Sequence, residues 1–220
     1  MPLSSVGRKR LRPRAMKITD IHTHDPSRRG AIINHDFATP MQPGMIYSAG
    51  VHPWDTLSPS ADRYIDETRE LARSGSITAV GECGLDRLAG APLDVQSDIF
   101  RRQAVIGEEY GLPIILHVVK AFQEITALKK ELKPSVPWII HGFRGKPQLA
   151  EELLRHGFYL SLGERYNPMT AEVIPVDRLL AESDESRLSA TEIAAGFPHF
   201  DPSLADRLFL GDRQQNAAEI

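Results

Sequence analysis

Ile114-Ile115-Leu116-His117 is a short apolar run that ends on a histidine, and its flanks decide the fold. Upstream, residues 95–110 place Val95, Ile99, Gln103, Ile106 and Tyr110 at helical spacing, and downstream 121–131 also has a helical pattern. A buried strand between two amphipathic helices is the repeating unit of a parallel sheet, since parallel neighbours need a crossover and the crossover helix covers the sheet. The same alternation extends in both directions. Runs rich in Ile, Val, Leu and Tyr at 16–24, 31–34, 45–52, 77–83, 112–118, 137–142, 157–163 and 178–184 are predicted strands. Residues 59–73 and 147–156 are further predicted helices, the second with Pro147 at its first position. Ser189-Ala190-Thr191-Glu192 has the form of a capping box that opens a terminal helical region. Eight parallel strands are the number that closes a TIM barrel, so the expected class is α/β, a (β/α)8 barrel. The connections after the first two strands are too short for regular helices, which predicts a barrel distorted on that side.

Composition sets the boundaries of function. The chain has 220 residues, 41% hydrophobic and 25% charged, as an ordinary globular protein does. No apolar run approaches the roughly 18 residues of a membrane span, and no obligate protein partner is evident. A formal charge of -3 disfavours general coating of nucleic acid, so a phosphate-bearing substrate must be held by local basic groups or metal ions. The single cysteine, Cys83, forms no internal disulfide and fits a reducing cytoplasm. Residues 1–15 stand apart: Arg8, Lys9, Arg10, Arg12 and Arg14 accompany two prolines and no acid, which predicts a disordered basic tail ahead of one domain at 16–220.

Five of the eight histidines, His22, His24, His52, His117 and His141, fall at or near the C-terminal ends of predicted strands. In a parallel barrel those ends converge on one mouth, where residues distant in sequence meet. In Asp20-Ile21-His22-Thr23-His24, strand alternation puts Asp20, His22 and His24 on one face. Imidazoles at this spacing, with carboxylates Glu82 and Asp184 at two other strand ends, make a donor set for divalent cations. Glu82 is the expected bridge between two ions. Asp86 is read as a residue of a loop over the mouth or as a support standing behind the ligands. His52 is read as a substrate contact, with metal ligation and a turn role as the other readings, and Lys120, Arg144 and Arg165 are candidate partners for substrate oxyanions. Cys83 is expected to be a small buried apolar group, and His35, His156 and His199 to be solvated or capping.

These motifs, taken in order, resemble the TatD family of metal-dependent hydrolases, which includes deoxyribonucleases. The resemblance runs from Thr19 to Ser186 through Asp20-Ile21-His22-Thr23-His24, Gly50-Val51-His52-Pro53, Gly81-Glu82-Cys83-Gly84-Leu85-Asp86, Leu116-His117, Ile140-His141-Gly142-Phe143 and Glu182-Ser183-Asp184. It implies a TIM barrel of the amidohydrolase type. It also implies that His22 and His24 bind one cation, completed by Asp184, that Glu82 bridges, and that His117 and His141 bind a second. The chain departs from the family pattern in four places. The helix after the His-x-His strand is missing, Ser183 stands where Thr is usual, and the segment after Asp184 lacks an Arg- and Asn-Glu-Pro-bearing loop. Lys120 also replaces a common Arg, which keeps charge and loses bidentate phosphate recognition.

The expected activity is hydrolysis of a phosphoester, in DNA or a small phosphodiester, by water held on two divalent ions, Zn, Mn or Mg, with Asp184 as proton acceptor and Glu82 as the second catalytic carboxylate. Two other readings are a lactone or amide hydrolase at the same mouth, and a non-catalytic protein that keeps metals for stability or partner binding.

Overall fold

Eight strands, all parallel and each paired with the next in chain order, form the centre of the computed structural model, which describes residues 17–211. They are β1 Asp20–Thr23, β2 Ala31–Asn34, β3 Ile46–Ala49, β4 Ala79–Asp86, β5 Ile114–Val119, β6 Trp138–Ile140, β7 Tyr159–Leu162 and β8 Leu179–Ala181. Six of the predicted runs contain one of them whole, and the runs at 77–83 and 112–118 overlap β4 and β5, which extend past them to Asp86 and Val119. The predicted basic tail, 1–15, and Met16 lie outside the described residues. The ring is drawn shut between its first and last strands by a parallel bridge from Thr23 to Asp184. There the Asp184 N–H donates to the His22 carbonyl at 3.0 Å and the His24 N–H donates to the Asp184 carbonyl at 3.2 Å.

The helices are α1 Ala61–Arg73, α2 Leu93–Tyr110, α3 Phe122–Leu132, α4 Pro147–Arg155, α5 Pro168–Val173, α6 Ala190–Ala194 and α7 Leu204–Phe209. As the short connections require, no helix lies between β1 and β2 or between β2 and β3. The long α2 stops where Gly111 turns left-handed at φ 63° and its N–H closes back on Glu108 and Gly107, a conformation that favours glycine. The capping box at Ser189 and Glu192 is formed in full at the start of α6. The six-residue α5 went unpredicted because its turn and a half carries no sustained periodicity. Its start signals, Asn167 accepting from the Met169 N–H and Pro168 at the first position, are present nonetheless. Among the described residues no helix is long and apolar enough to cross a membrane.

Two apolar layers follow from strand alternation. Outward residues such as Val80, Leu116, Ile140, Leu160 and Leu179 pack under the helices in the larger cluster. A smaller cluster takes Ile32, Ile46, Ala79, Ile115, Ile139 and Leu180 from successive strands and continues to Leu204 and Phe209 of α7. Two residues further along, on the same face, the strands carry Asn34, Ser48, His117, His141 and Glu182, so the apolar floor gives way to a polar layer one pleat higher. Strand β4 needs an extra residue to join that layer. Its register against β5 shifts between Val80 and Cys83, both of which belong to the outward cluster, and the irregularity turns Glu82 toward the other face. Cys83 is accordingly buried, and burial pushes its thiol pKa up, as expected of an inert apolar group.

Lys129 of α3 is half-buried under Trp138 and Phe158, its ammonium 5.0 and 4.8 Å from their ring centroids. Burial, with Arg178 nearby, lowers its pKa from 10.5 to about 8. Between these values the folded chain binds fewer protons than the unfolded one, so this lysine makes stability rise with pH across about 8 to 10.5. Lys129→Met is expected to stabilise the protein at pH 7 by about 1 kcal/mol, a figure discounted for partial solvation and the lost cation–π contact. Urea unfolding at pH 7 and pH 10 checks this: the gain should shrink at the higher pH.

Candidate metal centre

Glu82 organises the mouth of the barrel. Its side chain is buried, and its two carboxylate oxygens face different sets of imidazoles. Oε2 lies 3.2 Å from Nε2 of His22 and 3.4 Å from Nε2 of His24. Oε1 lies 2.7 Å from Nδ1 of His117, 2.7 Å from Nε2 of His141 and 3.2 Å from Nε2 of His52. Asp184 stands on the first side, with Oδ1 3.9 Å from His22 Nε2 and 3.8 Å from His24 Nε2. Thus all five strand-end histidines and both carboxylates singled out from the sequence meet in one place.

Local structure explains the convergence. His22 is on β1, His24 just beyond it, His117 on β5, and His141 follows β6 directly. Asp184 reaches the mouth through the bridge that draws β1 and β8 together, with a left-handed backbone at φ 53°. Asp20 fixes the same seam from below. Its carboxylate accepts from the backbone N–H groups of His22 at 3.2 Å and Ser183 at 3.1 Å, and from the Ser183 hydroxyl at 2.6 Å. Burial raises the Asp20 pKa to about 6, against the opposing pull of these hydrogen bonds. On the other flank, Asn34 accepts the Glu82 N–H through Oδ1 at 2.9 Å and anchors the irregular stretch of β4.

The electrostatics are those of a carboxylate among bases. Burial alone would raise the Glu82 pKa, but His141, His22 and the hydrogen bonds from His117 and His141 outweigh it and hold the carboxyl well below its usual range. Burial likewise works against charge on His141, yet Glu82 and Glu182 raise its pKa well above that of free imidazole. The His24 pKa is raised by its hydrogen bond to Glu82 despite burial.

The residues present fit divalent cations. Donors that share an ion at about 2.1 Å lie about 3.0–3.4 Å apart in octahedral or tetrahedral order, and the contacts of Glu82 with His22 and His24 fall in this range. Both ring nitrogens of His22 are buried without a hydrogen-bond partner, an arrangement whose cost an ion bound at one of them would relieve. The triads His22, His24, Asp184 and His52, Glu82, His117 are among the groups whose ligand atoms lie mutually within 4.8 Å.

Three residues beside the site were missed or misplaced in the sequence reading. Asp86 is not in a loop: β4 runs through it, and its buried carboxylate accepts the Trp54 indole N–H at 2.8 Å and lies 3.4 Å from His117 Nε2. The continued pairing of β4 with β5, from Gly84 opposite His117 to Asp86 opposite Val119, is the reason. Glu182 is fully buried, accepts the Gly142 N–H at 2.6 Å and sits 3.2 Å from His141 Nδ1. Its inward parity with Asp184 was the available signal. His35 is neither remote nor simply solvated, since it lines the cleft that contains Glu82 and His52. His156 does cap α4, and His199 lies 2.6 Å from the Ile174 carbonyl. Of the basic candidates, Lys120 and Arg144 line a cleft that runs past His117 and His141, and Arg165 lines a neighbouring cleft beyond Asp184.

The family model for TatD related DNase matches residues 15–190. The chain belongs to the TatD family. It is 36% identical over 152 residues to the uncharacterized metal-dependent hydrolase YabD of Bacillus subtilis, covering 63% of this chain and 58% of that protein. It is 34% identical over 158 residues to the 3'-5' ssDNA/RNA exonuclease TatD of Cronobacter sakazakii, covering 67% of this chain and 59% of the relative. The matched region thus spans less than two thirds of these relatives' length. The crystal structure of a TatD family hydrolase from Entamoeba histolytica superimposes with a TM-score of 0.69 at 15% identity, over 90% of this chain and 99% of that one, a likeness of fold.

Because Glu182 holds the far nitrogen of His141, Glu182→Gln is expected to leave the fold intact and weaken divalent-metal affinity about 10- to 100-fold. Isothermal titration with Zn²⁺ or Mn²⁺ measures it. In the unsubstituted protein the same titration should show affinity climbing as the pH rises above the free-imidazole range, because an ion must displace the proton that His141 holds.

Proposed function

We propose that the chain hydrolyses phosphodiesters, in single-stranded nucleic acid or small nucleotide-like compounds, with two divalent ions. The observation that carries this reading is the division of five histidines between the two oxygens of one buried carboxylate. In this assignment His22, His24 and Asp184 would hold one ion and His117 and His141 the other, with Glu82 placed to serve both. The donor set, rich in imidazole nitrogen, suits Zn²⁺ or Mn²⁺ better than Mg²⁺. Such ions supply an activated water and neutralise the charge that develops on phosphate oxygens.

The chain's own groups do the remaining work. Asp184 is partly open to the cleft and takes a proton from the attacking water at its carboxylate. His52 accepts the Trp54 backbone N–H through Nδ1 at 3.1 Å, which leaves Nε2 to carry the proton in the neutral ring. That nitrogen faces the site as a donor to a phosphate oxygen. Trp54 is 61% exposed while its N–H is tied to Asp86, so its indole is a fixed face on which a base can stack. Lys120 and Arg144 line the adjoining cleft as partners for phosphate oxygens. The name of the Cronobacter sakazakii relative, an exonuclease on single-stranded DNA and RNA, supports the choice of substrate.

Glu82→Gln tests the reading. It is expected to lower bound metal in elemental analysis by at least one ion per chain and to reduce phosphodiester turnover about 1,000-fold or more, with circular dichroism unchanged. Lactone and amide substrates assayed in parallel separate phosphoester chemistry from the other hydrolyses this mouth could support. Trp54→Ala is expected to raise KM for a thymidine phosphodiester about 10-fold with a smaller change in kcat, the mark of lost base stacking of about 1 to 3 kcal/mol.

A further inference from the structure

We propose that the cleft beyond Asp184, on the side of β6 to β8, is a subsite for a second phosphate of a polynucleotide, with Arg187 as its anchor; this rests on the phosphodiester reading above. The cleft measures about 430 Å³ and shares Asp184 with the metal centre, so a chain whose scissile phosphate sits at Glu82 can continue into it. Three guanidiniums line it, each from a different strand-end loop: Arg144 after β6, Arg165 after β7 and Arg187 after β8. Four carboxylates, Glu164, Glu182, Asp184 and Glu185, line it as well; of these Glu182 is buried against His141 and Asp184 faces His22 and His24, while the guanidiniums stand on the outer loops.

The state of these arginines points to a ligand. Elsewhere Arg69, Arg73, Arg87, Arg101, Arg102 and Arg207 are paired with carboxylates, while Arg29 and Arg155 stand singly exposed and line no cleft with other arginines. Among the described residues, Arg144, Arg165 and Arg187 have exposed side chains that form no ion pair and no hydrogen bond. Glu164, the nearest acid in chain order to Arg165, is instead engaged by the Ser186 hydroxyl at 2.7 Å.

The backbone around Arg187 is held while its side chain is left open. Arg28 donates to the Leu188 carbonyl at 2.7 Å and the Ser186 carbonyl at 3.2 Å, the residues on either side of Arg187. The Ser186 N–H donates to the Ser183 carbonyl at 2.7 Å, and the Leu188 N–H donates to the Ser186 hydroxyl at 3.0 Å. A planar guanidinium carried on a held backbone is suited to bidentate contact with a phosphate, and its fork loses less entropy per hydrogen bond than a lysine does. A substrate with one phosphate fills the metal centre and leaves this cleft without a partner; a longer chain uses both.

The test compares a thymidine p-nitrophenyl phosphodiester, which has one phosphate, with single-stranded decathymidylate, using the full chain supplied with Mn²⁺. Arg165→Ala/Arg187→Ala is expected to lower the ratio of kcat/KM for decathymidylate to that for the small diester at least 10-fold, and Arg187→Lys to lower it less. Arg155→Ala, which changes an exposed arginine on α4 outside the cleft, is the control and should keep the wild-type ratio. In parallel, fluorescence anisotropy of labelled decathymidylate with metal-stripped protein measures binding against salt. The plot of log K against log salt should be shallower by about 1.4 in the double variant, as two lost phosphate contacts on a single strand require. A ratio and salt slope equal to those of the unsubstituted chain would overturn the subsite. If the unsubstituted chain cleaves neither substrate, the hydrolytic reading fails, and the salt slope still decides whether the cleft binds polynucleotide.

Discussion

A carboxylate buried in the mouth of a barrel has to be matched by positive charge or by hydrogen bonds, and Glu82 is matched from every side. An isolated ionised carboxyl in such a place would cost several kcal/mol and would stay protonated. Imidazoles from four strand ends instead keep it charged, and the backbone that carries it is pinned by Asn34. The balance is reciprocal, since the same contacts draw protons onto His24 and His141. In the absence of other cations the site neutralises itself with protons. The same nitrogen and carboxylate atoms are donors of the kind divalent ions use, so a metal ion would have to compete with protons for them.

The positions that define the barrel were legible in the sequence because a parallel strand buried on both faces is a nearly unbroken apolar run, and each of the eight runs contains or overlaps an observed strand. The histidines were legible because each ends such a run. What the sequence did not disclose depends on phase. An ideal alternation cannot account for Glu82 and Cys83, since Val80 and Cys83 face outward together only through the irregularity in β4. The same strand outlasts its apolar run, so Asp86 belongs to β4 and not to a loop. Glu182, adjacent to the recognised Ser183 and Asp184, drew no assignment because a lone acid at a strand end is usually solvated. Its partner, His141, became visible only when β6 and the end of β8 were brought together in space.

The polar layer around Glu82 rests on the apolar layer below it, and this places stability and chemistry in neighbouring pleats of the same strands. Ile115 and His117, Ile139 and His141, and Leu180 and Glu182 are pairs in which one residue packs the interior and the next on that face reaches the mouth. The ligand positions are therefore set by the register of the sheet. The basic groups around the mouth are different. Lys120, Arg144, Arg165 and Arg187 come from loops, where sequence can vary without disturbing the strands.

The seam between the first and last strands has a temporal meaning. Asp184 lies about 160 residues after His22 and His24, yet its backbone completes the ring and its carboxylate faces them. A polypeptide still emerging from the ribosome has its early histidines long before the acid that stands opposite them. The full set of donors is thus withheld until synthesis has passed the eighth strand and the two ends of the sheet have met, and a half-made chain carries an incomplete claw.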